Sequence, residues 1–265
     1  MHLSIIIPCY NEEARIGKTL DRVFEYLSAQ QYTWEIIVVD NGSTDSTREV
    51  VEEYRKKIPT LSLIARKSHG KGWAVKQGML TATGDYRLFT DADNSTDIAQ
   101  IEKLMAYAEQ GYEVVISSRR APGALITTPQ PQSRIWLGNI FASIVRAIVP
   151  LGDIRDTQNG FKLFTKAAAE KIFLHQTIYY WAFDIEILAL ARIFGYKIKE
   201  VPIVWVNDDR SKMNLKGMVR MLLEVILTRL HLLTFDYKKL KRAREETRES
   251  AEKLPRSRRS EAKSV

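Results

Sequence analysis

One cysteine, Cys9, among 265 residues rules out a disulfide framework, and no paired Cys/His spacing near it suits a structural zinc site. A reducing, cytosol-facing compartment fits that usage. Glycine and proline are scarce, 13 and 8, and with 45% hydrophobic and 27% charged residues this excludes collagen-like, mucin-like and wholly disordered chains. Met1–Asn11 has no basic n-region, long apolar stretch or small-residue cleavage site, so no secretory signal is expected. The most apolar late segment, Met213–Phe235, is broken by Lys216, Arg220, Glu224, Arg229 and His231. It falls short of the roughly 18 uninterrupted apolar residues of a spanning helix. No G-x-G-x-x-G follows a strand pattern and no G-x-x-x-x-G-K-S/T is present, which removes Rossmann dehydrogenases and P-loop nucleotide hydrolases.

The charge is uneven. Of the net +8, five positive charges fall in Asp236–Val265, which holds 11 Lys/Arg against 6 Asp/Glu. Few apolar residues, Pro255 and several serines make a solvated, disordered tail the first expectation; attraction to anionic lipid comes second and nucleic acid a distant third. The expected organisation is a folded unit over 1–212, an amphipathic helix over 213–235 and the basic tail 236–265. The helix either packs into a core or lies in a membrane interface, with Lys216, Arg220 and Glu224 as its polar stripe.

Before that helix, short β-branched runs alternate with helical patterns, the mark of a mostly parallel sheet covered by helices. Strands are expected at Leu3–Pro8, Trp34–Asp40, Leu61–Ala65, Tyr86–Thr90 and Val114–Ser117, with a late one over Lys197–Val206. Helices are expected at Glu12–Ala29, Ser46–Lys57, Trp73–Thr81, Ile98–Glu109, Ile135–Val149 and Ala182–Phe194. The fold class is α/β with a Rossmann-like layer, and Pro122–Pro131 reads as a mobile, lid-like loop. In such sheets ligands bind beyond the carboxyl ends of the strands, so chemistry is sought there.

Asp91-Ala92-Asp93 closes the fourth strand. Two carboxylates at i and i+2 past a strand end converge on a hard cation once the chain turns, and a divalent metal bridging a diphosphate is the natural use. As a triplet alone, a helix cap beside a solvated Asp accounts for it equally well. Asp40 ends the second strand, where a carboxylate accepts hydrogen bonds from a base or a ribose; turn and cap chemistry with Gly42 and Ser43 is the structural alternative. Gly70-Lys71-Gly72 offers backbone N–H groups, a helix start and an ammonium to an anion. Ser118-Arg119-Arg120 closes the fifth strand.

Taken in order, Pro8-x-Tyr10-Asn11-Glu12, Asp40-x-Gly42-Ser43-x-Asp45, Gly70-Lys71-Gly72 and Asp91-x-Asp93 resemble glycosyltransferase family 2 over roughly Leu3–Leu215. The resemblance implies a GT-A fold and inverting transfer from a nucleotide-diphosphate sugar. Pro8, Tyr10, Glu12, Asp40, Gly42 and Lys71 then hold the donor's nucleoside end, Asp91 faces ribose and metal, and Asp93 binds Mg2+ or Mn2+. The second half, with Ser118-Arg119, Arg134 and Asp156-Thr157-Gln158-Asn159-Gly160-Phe161-Lys162, is similar to the polyprenyl-phosphate sugar transferases of that family, which include dolichyl-phosphate glucosyl- and mannosyltransferases.

By that likeness Arg119 and Arg134 grip the acceptor phosphate, Arg210 and Lys212 join Lys71 at the leaving diphosphate, and the donor is UDP-glucose. The third metal ligand of the mannose branch falls on Ser95, a weaker ligand than a carboxylate, with a Gln158 carbonyl as the substitute. Asp156 and Gln158 are expected to shape a turn around the sugar. Asp184 sits near the catalytic acid of base-using relatives and, like Glu186, is expected at a sugar hydroxyl or a helix cap.

A phosphate monoester, with a second pKa of about 6, is already mostly dianionic at neutral pH and attacks the sugar without a general base. The implied place of action is peripheral, at the cytosolic face of a membrane, with polyprenyl phosphate and the membrane surface as partners and nucleic acid disfavoured. The rival readings are mannose transfer from GDP-mannose, a polysaccharide or protein acceptor that makes Asp184 or Asp156 an obligatory base, and a non-catalytic nucleotide-sugar or membrane-binding module. An aspartyl-phosphate phosphatase also carries D-x-D, but after its first strand, not its fourth.

Overall fold

The structure is a computed structural model and describes residues 2–67, 69–128, 132–207 and 215–234, without the side chains at 132–135, 137, 215, 216, 218 and 234. Its strands are β1 (His2–Cys9), β2 (Thr33–Asp40), β3 (Leu61–Ala65), β4 (Tyr86–Thr90), β5 (Val114–Ser118), β6 (Leu125–Ile126), β7 (Phe161–Thr165), β8 (Ile198–Pro202) and β9 (Val204–Trp205). Its helices are α1 (Ile16–Ser28), α2 (Thr47–Lys57), α3 (Lys71–Thr81), α4 (Ile101–Ala108), α5 (Gln132–Ile148), α6 (Lys166–His175), α7 (Phe183–Ile193) and α8 (Leu215–Thr234), with a 3-10 turn at Ile98–Gln100.

Seven strands form one sheet in the order β3-β2-β1-β4-β7-β5-β8. All neighbours are parallel except β7, which runs antiparallel between β4 and β5. Both faces are covered, so the inner strands read as near-continuous apolar runs. Leu3, Ile5, Ile7, Ile36 and Val38 pack with Leu20 of α1, Val51 of α2 and Leu104 of α4. Ile6, Val39, Phe89 and Ile116 pack with Val75 of α3, Ile172 of α6, Leu188 of α7 and Val225 of α8.

The chain steps from β1 to β2 and β3 on one side and reaches β4 on the other, so the crest between β1 and β4 is a topological switch point, where a ligand crevice opens. The loops that border it turn through left-handed residues, Asn11 (φ 53°), Gly42 (85°), Gly70 (107°) and Asn94 (54°). Asparagine tolerates this conformation because its short amide bonds locally; Asn11 Oδ1 accepts from the Thr44 N–H at 2.8 Å.

The structure departs from expectation at four places. β7 and α6 are additional to the expected elements; a lysine at the second position of Phe161–Thr165 argues against a strand buried on both faces. Helix α1 starts at Ile16, which leaves Glu12 in the crest loop. The late strand divides at Ile203, and its second part pairs with β6, so Leu125 and Ile126 of the Pro122–Pro131 segment join a two-residue parallel ladder; residues 129–131 lie outside the described residues.

The fourth departure concerns α8. Glu224 does not face solvent: it is buried and accepts from the Trp181 and Ala182 N–H groups at 3.0 Å each, just ahead of α7. Met221, Val225 and Thr228 are buried beside it, while Val219, Leu223, Ile226, Leu227, Leu230 and Leu233 are exposed on the other face. α8 is therefore apolar on both sides, one turned to the body and one turned outward. No described helix is long and apolar enough to cross a membrane. The tail from 235 onward lies outside the described residues.

Candidate active site at the sheet crest

The carboxylate pair sits where β4 meets β7. The Asp91 N–H donates to the Gly160 carbonyl at 3.0 Å, and Lys71 Nζ lies 2.6 Å from Asp91 Oδ1. A Cβ on Gly160, just ahead of β7, would stand 2.1 Å from Asp91 Oδ2, so any side chain there would displace this carboxylate. Asp93 Oδ1 accepts from the Ser95 N–H at 2.9 Å. Burial, and next the Asp91 charge, raise the Asp93 pKa, against hydrogen bonding from the Ser95 amide and hydroxyl. Ser95 is thus engaged in holding Asp93.

These residues fit a divalent cation. Asp91 Oδ1 is buried with no aligned hydrogen bond, although the Lys71 ammonium is close, and a second carboxylate two residues away repels it. A hard cation satisfies both. Among the described residues no cluster of three His, Cys, Asp or Glu side chains surrounds one point. A two-carboxylate site completed by phosphate oxygens and water is the coordination that Mg2+ prefers.

At the expected nucleoside end, Asp40 is 0% exposed. Its carboxylate accepts from the Gly42 N–H (3.3 Å), the Ser43 N–H (3.1 Å) and Arg48 Nε (2.5 Å), the turn-ordering alternative. Pro8 is buried in β1, Tyr10 is exposed on the crest, and Glu12 accepts from Arg15 Nε at 2.6 Å. Lys71 opens α3 and points to Asp91; burial opposes its charge, but the Asp91 and Asp184 carboxylates outweigh burial and raise its pKa. Gly70 before it is positioned by necessity, since a Cβ there would lie 2.2 Å from the Tyr179 carbonyl oxygen. Arg210 and Lys212 lie outside the described residues.

On the opposite side of Asp91, Arg119 follows β5 and forms a bidentate pair with Asp156, Nε to Oδ2 at 2.7 Å and Nη2 to Oδ1 at 2.8 Å. Its backbone N–H reaches the same carboxylate at 3.0 Å, and the guanidinium lies over the Trp205 ring. Burial works to raise the Asp156 pKa, but Arg119 overcomes it and holds the carboxyl down at about 2. Arg119 keeps 25% of its side chain exposed. This pairing spends only two of the five guanidinium N–H groups. Arg134 lies in α5, and its side chain is outside the described residues.

Asp184, expected at a sugar hydroxyl or cap, is instead bonded to Lys162, Nζ to Oδ1 at 2.5 Å. Glu186 is buried too and accepts from the Thr177 and Ile178 N–H groups at 2.9 and 2.7 Å. Gln158 donates through Nε2 to Met221 Sδ on α8, which makes it a tie between the site loop and that helix. In the sequence Lys162 is only the end of the Asp156–Lys162 motif; its role in sealing Asp184 emerges from β7 lying inside the sheet.

With this geometry in place, the comparisons decide the family. The model of Glycosyl transferase family 2 matches residues 4–173. The chain belongs to that family. A dolichyl-phosphate beta-glucosyltransferase of Trichomonas vaginalis is 37% identical over 239 residues, 85% of this chain and 72% of the relative. The dolichyl-phosphate beta-glucosyltransferase of Homo sapiens is 33% identical over 231 residues, 80% of this chain and 69% of the relative. Among solved structures, glucosyl-3-phosphoglycerate synthase from Mycobacterium tuberculosis, in complex with Mn2+, UDP and phosphoglyceric acid, superimposes with a TM-score of 0.66 at 20% identity, covering 86% of this chain and 76% of that one. The shared architecture is the GT-A fold, and this family 2 chain is a transferase.

Proposed function

We propose that this family 2 enzyme transfers glucose from UDP-glucose, with inversion, to the phosphate of dolichol or a related polyprenol at the cytosolic face of a membrane. The single observation that supports this best is that both candidate bases, Asp156 and Asp184, are buried in ion pairs with Arg119 and Lys162. A hydroxyl acceptor needs a base at the crest; a phosphate monoester, already dianionic, needs cations. Arg119 offers charge-assisted donors in a fixed orientation. The relatives named as dolichyl-phosphate beta-glucosyltransferases favour the same acceptor and sugar.

In the reaction, an acceptor phosphate oxygen attacks the sugar C1 from the face opposite UDP. The new C1–O bond forms as the bond to the diphosphate breaks, and its electron pair leaves with UDP. Lys71 stands beside Asp91 to balance charge at the diphosphate. Mg2+ or Mn2+ bound on Asp91 and Asp93 would add cationic charge to the leaving group. The outward apolar side of α8, with exposed Trp136 and Ile140 on α5, would rest on the bilayer surface that holds the acceptor.

The test is mass spectrometry of the lipid extract after incubation with polyprenyl phosphate, Mg2+ or Mn2+, and UDP-glucose and GDP-mannose in competition. Lipid-linked hexose from UDP-glucose is expected, with a loss of about a hundredfold or more for Arg119→Ala. No glycosylated lipid from a folded protein, or near-normal activity of Arg119→Ala, overturns the reading.

A further inference from the structure

Ser118 ends β5 with its Oγ accepting from the N–H groups of Arg120 (3.1 Å) and Ala121 (2.9 Å), so two consecutive arginines leave a tightly held turn. Arg119 is matched by Asp156. Arg120 is not matched. Its guanidinium is half-buried and packs on the glycine of α5: Nη2 lies 3.1 Å from where a Cβ on Gly138 would be. Among the described residues it makes no hydrogen bond or ion pair.

The charged groups around it are Asp156, Arg119, Arg146 and Glu200. Both carboxylates are engaged elsewhere: Asp156 chelates Arg119, and Glu200 accepts from the Arg155 and Asp156 N–H groups. Burial lowers the Arg120 pKa; Asp156 opposes it next, the Arg119 and Arg146 charges add to the lowering, and Glu200 opposes it least. A partly buried cation that makes no direct ion pair, and shares its nearest carboxylates with other groups, is costly to keep charged, and a bound anion lowers that cost.

We infer that Arg120 is a second ligand for the acceptor phosphate, acting beside Arg119 from the same turn. This rests on the proposed acceptor class. The Arg119–Asp156 pair has no net charge, so it orients the phosphate without neutralising it. Arg120 supplies the net positive charge that a dianion requires. Its contact with α5 sets it one helical turn along from Arg134 in sequence, so the acceptor phosphate would lie between the β5 turn and α5.

The experiment uses a short, water-soluble prenyl phosphate with UDP-glucose in a zwitterionic detergent, which removes the bulk anionic surface. Arg120→Gln should raise KM for the prenyl phosphate about ten- to hundredfold, leave KM for UDP-glucose unchanged and keep kcat within about threefold, with Arg120→Lys in between. An unchanged KM overturns the assignment. So does a loss confined to binding of phosphatidylserine vesicles, which assigns Arg120 to bulk lipid headgroups. If the wild type transfers nothing to any prenyl phosphate, the acceptor reading fails by itself, and inorganic phosphate binding followed by thermal shift still decides the site. Stabilisation of the wild type but not of Arg120→Gln supports it, and equal stabilisation overturns it.

Discussion

Lys162 and Asp184 meet beneath the crest with their charged atoms 2.5 Å apart, and their side chains are 0% and 5% exposed. β7 places Lys162 between Phe89 of β4 and Ile116 of β5, and α7 brings Asp184 down onto it. Burial draws each toward its neutral form, raising the Asp184 carboxyl and lowering the Lys162 ammonium, while their contact opposes both shifts. Lys162 Nζ also donates to the Asn159 carbonyl at 2.5 Å, so the pair ties the Asp156–Gly160 loop to the sheet.

Removing one partner leaves a buried charge without compensation. Lys162→Met should cost about 3–5 kcal/mol in urea unfolding, and Lys162→Met with Asp184→Leu should recover most of it. A single-variant cost below about 1 kcal/mol would show that the pair does not anchor the loop.

Asp156 predicts an acid limit. Its folded pKa of about 2 lies below the ordinary value of about 3.9, so the stabilisation it supplies is complete above the unfolded pKa and is lost as pH falls through the folded one. The shift corresponds to roughly 2–3 kcal/mol. The stability gap between wild type and Asp156→Asn should hold steady from about pH 7 to about pH 4 and narrow below that. A gap that closes between about pH 7 and pH 5 would point to a different titrating group.

Gly160→Ala should displace the Asp91 carboxylate, because the new methyl would stand 2.1 Å from Oδ2. Misplacing a reacting group by about an ångström costs on the order of a hundredfold in kcat/KM. Gly152→Ala, where a Cβ meets nothing within 4 Å, is the control and should retain activity.

For the metal, Asp93→Asn should weaken Mn2+ binding, measured by electron paramagnetic resonance of the free ion, by at least about tenfold, and Ser95→Ala by less. Ser95→Asp should tighten it by adding a third carboxylate. Binding unaltered in Asp93→Asn would move the metal off this pair.

The two sides of α8 should separate experimentally. Leu223→Glu with Leu230→Glu, at positions 56% and 49% exposed, should leave stability nearly unchanged and abolish co-sedimentation with phosphatidylcholine–phosphatidylserine vesicles. Glu224→Ala should do the reverse, costing about 1–3 kcal/mol because the Trp181 and Ala182 N–H groups lose their acceptor.

The sequence by itself determined the five parallel strands and the crest residues that follow them. Runs such as Ile36–Asp40 and Tyr86–Thr90 are buried on both faces and carry their own signature, and the turn chemistry of Asn11, Gly42 and Asp91-Ala92-Asp93 is local. The structure decided what depends on partners distant in the chain. Lys162 in an apolar run is a poor strand residue until Asp184, 22 positions on, meets it. Asp156 reads as a turn residue until Arg119, 37 positions back, binds it. The stripe Lys216, Arg220, Glu224 suggests a solvated face until Glu224 is seen accepting from the residues ahead of α7. Local pattern records which side chains share a face; only the packed chain shows what that face meets, because burying a charge is tolerable only where a distant partner pairs with it.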